Sequence, residues 1–146
     1  SICVGLEPCV IPALGHSNFK IEDGTMEFGV GHHGEAGTKV EKLKSASEMA
    51  QEMAETILND FDFEEGKEVA VMLSSLGATP VMELYVLYDE VEKVLAKAGH
   101  KVWKTYIGNY VTSLDMNGAS LTIVDLDDEI KELLSEPAVP IGMKNY

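Results

Sequence analysis

Residues 68–80, EVAVMLSSLGATP, contain the pattern that decides the fold of this chain. Residues 68–73 have the apolar density of a strand that is covered on both faces. The loop after them ends at Pro80, and proline is favoured at the first position of a helix, where its missing N–H is not needed. The stretch therefore predicts a strand, a short loop and a helix, in that order.

The helix after this loop has the clearest pattern in the chain. Its apolar residues recur at spacings of three and four, which places them on one stripe of a helix. These residues are Leu84, Leu87, Tyr88, Val91, Val94, Leu95 and Ala98. Gly99 follows the stripe, at the position where a left-handed residue commonly ends a helix. We therefore expect an amphipathic helix that packs against an apolar core.

A second helix is predicted before residues 68–80. Ser45 and Glu48 match a capping box, in which the serine accepts a hydrogen bond from a free backbone N–H and the glutamate reaches back. Met49, Met53 and Ile57 then recur at helical spacing. A helix of about three to four turns is therefore expected after Ser45.

The remaining patterns complete an α/β order. Apolar density or alternation predicts strands at residues 1–5, 26–30, 101–107 and 120–124. Residues 127–134 predict a short acidic helix. The resulting order is β-β-α-β-α-β-β-α, in which few strands can be purely parallel. It predicts a single α/β domain over residues 1–146, with a mixed β-sheet covered by helices in two layers.

Charge and length exclude several classes of function. The chain has 25 acidic side chains against 11 lysines, no arginine, and a net charge of −14. Such a surface repels nucleic-acid phosphates and anionic membranes. No apolar run approaches the roughly 20 residues that cross a bilayer, and the first residues lack the pattern of a secretory signal. We expect a cytoplasmic protein without nucleic-acid or membrane partners.

The first nine residues bear on disulfide bonds and on the extent of the protein. Cys3 and Cys9 are too close in sequence to staple a large loop, and no other residues pair with them in a zinc-ligand spacing. They are predicted to be buried or free thiols. Residues 1–5 read as a strand already under way, without an initiating methionine, so we expect a domain of a larger protein.

Residues 29–37, GVGHHGEAG, are the most unusual segment. They fit the pattern G-x-G-x-x-G and follow a predicted strand, as in dinucleotide-binding sites. That interpretation is rejected, because residues 35–44 are polar, contain another glycine and reach a helix-capping signal only at Ser45. A phosphate-binding P-loop is also rejected, because the spacing and the Gly-Lys-Ser/Thr ending do not match.

His32 and His33 lie among these glycines. Adjacent side chains in an extended segment point in opposite directions, so the pair is poorly placed to hold one metal ion, and no metal site is predicted. Two interpretations remain from the residues themselves. One is a turn histidine that bonds to backbone or solvent. The other is an imidazole that projects into a cleft, which the flanking glycines favour by leaving the backbone open to approach.

Three polar segments each have a structural and a functional interpretation. Residues 77–79 precede a helix N-terminus, which attracts anions, although turning and capping is the commoner use of such a loop. Residues 112–118, TSLDMNG, suit catalysis, substrate orientation or an Asx-type turn. Residues 125–129 contain four acidic side chains and favour a solvated helix start, stabilised by the helix dipole.

Four blocks of the sequence, in order, resemble the substrate-binding subunit of the dihydroxyacetone kinases. The blocks are residues 5–13 (GLEPCVIPA), 26–37 (MEFGVGHHGEAG), 76–85 (LGATPVMELY) and 112–118 (TSLDMNG). The resemblance spans nearly the whole chain. It implies the second, carboxy-terminal domain of a two-domain subunit, with the amino-terminal domain absent. It also implies an architecture related to that of the DegV-like lipid-binding proteins.

The resemblance implies a covalent site at His33. In this family the histidine of a Gly-His-Gly-Glu turn forms a hemiaminal with the ketone of dihydroxyacetone, and His33, followed by Gly34 and Glu35, occupies that place. Gly34 is implied as a second substrate-binding residue. His32 stands where the family has an apolar residue, and Ala36 where it has a proline. Neither departure removes the reactive histidine, although both bear on the shape of the loop.

The resemblance also implies partners. No cofactor is expected on this domain, whereas ADP or ATP and Mg²⁺ are expected on a nucleotide-binding kinase subunit of the phosphotransferase-system type. A general-base aspartate and a second histidine are implied for the absent first domain, and a homodimer is implied for the subunit. The alternative function is a non-catalytic coactivator that senses dihydroxyacetone. A third is a domain that acts mainly as a dimerisation or interaction surface.

Overall fold

Strands and helices alternate along most of the chain. The computed structural model describes residues 1–17, 19–31, 35–64 and 66–145. The strands are β1 (Ile2–Gly5), β2 (Thr25–Phe28), β3 (Lys39–Lys42), β4 (Glu68–Ser75), β5 (Lys101–Gly108) and β6 (Gly118–Asp125). The helices are α1 (Ala46–Asp60), α2 (Val81–Lys97) and α3 (Asp128–Ser135).

The described strands form one mixed sheet in the order β3-β2-β1-β6-β4-β5. Strands β4 and β5 pair in parallel, and the other neighbouring strands are antiparallel. A parallel pair needs a crossover connection, and α2 supplies it between β4 and β5. The mixed α/β fold predicted from the sequence is therefore confirmed.

Helix α2 follows the predicted pattern and differs only at its start. Leu84, Leu87, Val91 and Leu95 of the predicted stripe are buried, and Gly99 has the left-handed φ of 87° expected after the helix. Pro80 was predicted as the first helical residue, but it is the N-cap, with an extended backbone at ψ 145°. The predicted start was therefore one residue too early.

Helix α1 begins as the capping box predicts. Ser45 accepts a hydrogen bond from the Glu48 N–H, and the Glu48 side chain returns one to the Ser45 backbone. Met53 and Ile57 of the predicted stripe are buried. Because α1 packs on β1 and β6 while α2 packs on β4 and β5, the two helices together cover one face of the sheet.

The main core lies between these helices and the sheet. Its side chains come from alternate positions of the strands, such as Val71 and Leu73 of β4 and Leu121 of β6, and from the apolar stripes of the helices. Full burial of a large apolar side chain contributes about 1.5–3 kcal/mol. The main core is therefore held by apolar packing.

The opposite face of the sheet carries a smaller core beneath loops. Cys3, Val30, Leu76 and Met116 are buried there, and Cys9, Phe19 and Ile21 pack against them. The described residues between β1 and β2, which are 6–17 and 19–24, form no regular strand or helix. This face holds the glycine-rich segment that was singled out in the sequence.

Two strands differ from the sequence prediction. The strand predicted at residues 26–30 ends at Phe28, because Gly29 takes a left-handed φ of 75°. Strand β3 was not predicted. It is short and mostly exposed, and it pairs with β2 at the edge of the sheet.

The carboxy-terminal part ends in a helix, as predicted. Asp127 caps α3 by accepting a hydrogen bond from the Ile130 N–H, and Asp128 and Glu129 lie in the first turn. The interpretation of residues 125–129 as an acidic helix start is confirmed, except that Asp125 is the last residue of β6. Among the described residues, no helix has the length and apolar character needed to span a membrane.

Candidate functional site

The glycine-rich segment connects β2 to β3 at the edge of the sheet. At its start, the Gly29 N–H donates to the Cys3 carbonyl at 2.7 Å. At its end, the Thr38 N–H donates to the Phe28 carbonyl at 2.8 Å. Both ends of residues 29–38 are therefore attached to the sheet, and the segment is a hairpin connection.

Gly31 and Glu35 are joined by a backbone hydrogen bond within this connection. The Gly31 N–H donates to the Glu35 carbonyl at 3.0 Å. A Cβ on residue 31 would lie 2.7 Å from the Glu35 Cβ, which is closer than two side chains approach, so this contact favours glycine. His33 and Gly34, the site residues that the resemblance implies, and His32 lie outside the described residues. The structure describes the residues on both sides of them.

Glu27 holds the end of this connection that leads into β3. It lies on β2 between Met26 and Phe28, whose side chains are in the main core. Because side chains alternate along a strand, Glu27 faces the opposite side of the sheet. Its Oε1 accepts a hydrogen bond from the Gly37 N–H at 2.5 Å. A Cβ on residue 37 would lie 2.5 Å from Glu27 Cγ, so glycine is needed for this contact as well.

A cleft of about 750 Å³ opens beside this connection. One wall contains Gly31, Glu35 and Ala36 of the glycine-rich segment, together with Glu27. Val30 of the same segment also lines the cleft, and the remaining lining residues come from two other loops and from β3: Cys9, Ile11, Phe19, Lys20, Val40, Thr112, Ser113, Leu114 and Met116. The cleft therefore lies against both described flanks of the predicted His33 site.

Another wall of the cleft comes from the loop at residues 112–118, through Thr112, Ser113, Leu114 and Met116. The Ser113 N–H donates to the Leu76 carbonyl at 2.9 Å, and the Ala78 N–H donates to the Met116 carbonyl at 3.1 Å. Asp115 adopts a left-handed φ of 53°, which short polar side chains tolerate. These contacts attach residues 112–118 to the loop before α2, while Thr112 and Ser113 line the cleft.

Thr79 joins the loop before α2 to this wall. Its hydroxyl accepts a hydrogen bond from the Gly118 N–H at 2.7 Å. The Gly118 carbonyl at 2.7 Å and the Asn117 Oδ1 at 2.9 Å are the acceptors available to its proton. Thr79 is buried. The structure therefore favours a structural role for residues 77–79 over anion binding.

A second cavity, of about 580 Å³, lies at the other end of β1. Its lining includes Ser1, Phe61 and Phe63, and its described lining residues include no histidine or cysteine. Strand β1 runs from this cavity, at Ile2, toward the cleft beside the glycine-rich segment. We therefore take the 750 Å³ cleft as the candidate functional site.

The charges and thiols at the cleft are few. Glu27 and Glu35 contribute carboxylates, and Lys20 contributes an amine. Cys9 lines the cleft, whereas Cys3 is buried in the small core below. Burial raises the pKa of the Cys3 thiol, which keeps it protonated at neutral pH. The prediction of two thiols rather than a disulfide is confirmed.

The structure also bears on metal and nucleotide binding. Over the described ranges, no three or more histidine, cysteine, aspartate or glutamate side chains come together as a metal site. The segment after the glycines enters β3 instead of a helix. A dinucleotide fingerprint requires a helix there, and the G-x-G-x-x-G pattern of this chain lies instead between two strands.

The sequence prediction did not identify two parts of this site. One is the hydrogen bond that the Gly37 N–H donates to the Glu27 carboxylate. Its only signal was the alternation at residues 26–28, which places Glu27 away from the main core. The other is the wall around Phe19 and Lys20, which lies in an irregular stretch without periodicity.

Comparison with known proteins gives consistent matches. The family model of the Dak1 domain matches residues 1–141. The dihydroxyacetone-binding subunit DhaK of PTS-dependent dihydroxyacetone kinase 1 from Listeria innocua is 42% identical over 126 residues, which are 86% of this chain and 38% of the relative. The corresponding subunit of kinase 2 from the same organism is 36% identical over 137 residues, or 94% of this chain and 41% of the relative.

A solved structure agrees with these sequence matches. The dihydroxyacetone kinase operon co-activator Dha-DhaQ superposes with a TM-score of 0.86 at 29% identity, over 93% of this chain and 42% of that protein. The chain thus spans about two fifths of the length of these two Listeria innocua relatives, since the shares are 38% and 41%. The matches cover nearly all of this chain and less than half of each relative.

Proposed function

Since this chain belongs to the Dak1 domain family, we propose that it is the substrate-binding part of a dihydroxyacetone kinase and that His33 holds dihydroxyacetone covalently as a hemiaminal. The observation that carries the proposal is the cleft lined by Gly31 and Glu35, the described residues on either side of the turn that contains His33. Gly34 is proposed to leave the backbone open beside the bound ketone.

The chemistry is an addition to a ketone. A neutral imidazole nitrogen of His33 attacks the carbonyl carbon, so that an N–C bond forms and the π electron pair moves to the oxygen. The oxygen gains a proton and the imidazole loses one, and no water leaves. Glycerol has no carbonyl carbon, so this step selects ketones over the corresponding alcohol.

The described residues of the cleft suit a small polyhydroxy ketone. Thr112 and Ser113 offer hydroxyls and backbone groups, while Glu27 and Glu35 offer carboxylate oxygens. Val30, Leu114 and Met116 supply apolar surface between them. Small-molecule sites commonly combine an apolar lining with a few polar groups that fix orientation. We propose that these groups orient the two terminal hydroxyls of the ketone.

Phosphoryl transfer requires parts that we assign to other domains. We propose that residues 1–146 are the carboxy-terminal domain of a two-domain subunit and that the amino-terminal domain supplies the general base. A nucleotide-binding kinase subunit, with ADP or ATP and Mg²⁺, is proposed as the phosphoryl donor. The relatives described as PTS-dependent support this arrangement. A homodimer of the subunit is part of the same proposal.

A second candidate function is a ligand-sensing coactivator. The structural likeness to the co-activator Dha-DhaQ, with a TM-score of 0.86, supports this second candidate. Both functions use capture of dihydroxyacetone, so a binding experiment alone does not separate them. Phosphoryl transfer separates them, because only the kinase delivers phosphate to the captured ketone.

The test is native mass spectrometry of the complete subunit with dihydroxyacetone, after gentle desalting without reductant. We expect a mass increase equal to one whole dihydroxyacetone molecule and no increase with glycerol. His33→Ala is expected to abolish the increase, and His32→Ala is the matched control that retains it. An adduct that persists in His33→Ala, or the loss of one molecule of water from the adduct, would contradict the proposed chemistry.

The second arm of the test measures phosphoryl transfer. The complete subunit is combined with a nucleotide-binding kinase subunit, and dihydroxyacetone phosphate is measured. Formation of the product supports the kinase. Capture of the ketone without any product, when the same partner is active with a kinase relative, supports the coactivator.

A further inference from the structure

We infer that Glu27 is a positioning residue for His33, which it places by holding the return arm of the glycine-rich connection. This inference rests on the proposed function of His33. Glu27 is on β2, and the return arm is residues 35–38, which lead back to β3. The carboxylate is the described side chain of β2 that reaches across to this arm.

Glu27 lies in a strand that is paired on both sides. Strand β2 pairs with β1 through Glu27 and Gly5, and with β3 through Glu27 and Val40. Glu27 is thus in a strand with neighbours on both sides. Its backbone is therefore held more firmly than that of a residue in a loop.

The return arm is attached to β2 by three hydrogen bonds. The Gly37 N–H donates to Glu27 Oε1 at 2.5 Å, and the next residue, Thr38, donates to the Phe28 carbonyl from both its N–H and its hydroxyl. The other arm of the connection, residues 29–31, is attached separately, because the Gly29 N–H donates to the Cys3 carbonyl. Glu27 is therefore the side chain that adds a hydrogen bond to the arm nearest Glu35.

Gly37 lies in close contact with the Glu27 side chain. A Cβ on residue 37 would lie 2.5 Å from Glu27 Cγ and 2.6 Å from the Phe28 carbonyl oxygen. The arm therefore lies directly on the glutamate side chain. A displacement of the arm moves Glu35, whose carbonyl accepts from Gly31 on the far side of the turn. Glu27 thus acts on both flanks of His33 through backbone contacts.

The position of Glu27 also bears on the reaction. Its side chain lines the same cleft as Gly31 and Glu35. A carboxylate in the cleft can influence ketone capture in two ways. It can position the segment that carries His33, or its charge can act on the reacting groups. The geometry favours the positional effect, because Oε1 is already engaged by Gly37.

The test compares three variants of the complete subunit. Glu27→Asp keeps the charge but is one methylene too short to reach Gly37. Glu27→Gln keeps the length and an oxygen acceptor but removes the charge, and Glu27→Ala removes both. Affinity for dihydroxyacetone is measured by titration in native mass spectrometry. Circular dichroism and thermal unfolding establish that each variant is folded.

For a positioning residue, we expect Glu27→Asp and Glu27→Ala to weaken ketone capture by about 10- to 100-fold. Glu27→Gln is expected to stay close to the wild type, with an unchanged pH profile of capture. Wild-type capture in Glu27→Asp overturns the inference. So does a Glu27→Gln variant that is as weak as Glu27→Ala, or one whose pH profile is displaced, because either result assigns the effect to charge.

The inference and the proposed function fail in different ways. If the wild-type subunit forms no adduct, the proposed function of His33 fails before Glu27 is tested. If the wild type forms the adduct and Glu27→Asp forms it equally well, the proposed function stands and the inference about Glu27 is wrong. Gly37→Ala is a second variant that displaces the same contact without altering the carboxylate, and it is expected to weaken capture as Glu27→Asp does.

Discussion

The two faces of the sheet are stabilised in different ways. On one face, α1 and α2 bury a continuous apolar core that includes Met53, Leu84 and Leu121. On the other face, loops cover a small core, and backbone N–H groups of the loops and of β6 donate hydrogen bonds to Glu27 and Thr79. The comparison shows that the helix-covered face provides stability by apolar packing, while the cleft face provides geometry through polar contacts.

The largest expected effect is on the helix-covered face. Leu84 is 1% exposed, so Leu84→Ala leaves a cavity between α2 and the sheet. We expect the free energy of unfolding to fall by about 3 kcal/mol, measured by chemical denaturation. Met82→Ala on the same helix is the control, because Met82 is 74% exposed and should change stability by about 0.5 kcal/mol or less. Equal losses in the two variants would refute the packing account of this face.

A smaller effect on stability, with a larger effect on the cleft, is expected for Thr79. Thr79→Val has nearly the same shape but removes the hydroxyl that bonds to Gly118 and reaches Asn117. We expect a loss of about 1–3 kcal/mol in the free energy of unfolding, together with weaker ketone capture. Thr79→Ser retains the hydroxyl and is expected to retain capture. If Thr79→Val captures the ketone as the wild type does, the wall at residues 112–118 does not depend on this contact.

The smallest expected effect is at the edge of the sheet, where Glu52 of α1 pairs with Lys39 and Lys44. Burial raises the pKa of the Glu52 carboxyl, but the hydrogen bonds from the two lysines outweigh it and hold the pKa below its ordinary value. Glu52→Gln is expected to cost about 0.5–1 kcal/mol of the free energy of unfolding at neutral pH and low salt.

The pH dependence of this pair follows from the lowered pKa. The stability that Glu52 contributes is present above the unfolded-state pKa of about 4.3. It is lost as the pH falls through the lower folded-state pKa. The difference between wild type and Glu52→Gln, measured by denaturation from pH 7 to pH 3, should therefore shrink toward acid. Glu55→Gln is the control, since Glu55 pairs with Gln51 and not with a lysine. A difference that stays constant over this range would contradict the account.

The parts of the fold that were predicted correctly have strong local signals. The capping box at Ser45 and the apolar stripe from Leu84 to Ala98 each depend on residues within one helix. Strand β3 carries no such signal, because it has the residues KVEK and its apolar residue, Val40, is 68% exposed. It is a strand because β2 presents an open edge to it. The end of β2 was misplaced because the left-handed φ of Gly29 is not distinguishable from an extended glycine in the sequence.

By itself, the sequence determined the helices, most of the strands and the α/β class, and its resemblance to a known family led to the proposal that His33 is the site residue. These features depend on the spacing of residue types along the chain or on blocks of neighbouring residues. Only the tertiary structure decided the pairing of β3, the cleft, and the contacts of Glu27 with Gly37 and of Thr79 with Gly118. The physical reason is that these contacts use backbone groups, which every residue has, and join positions that only the folded sheet brings together.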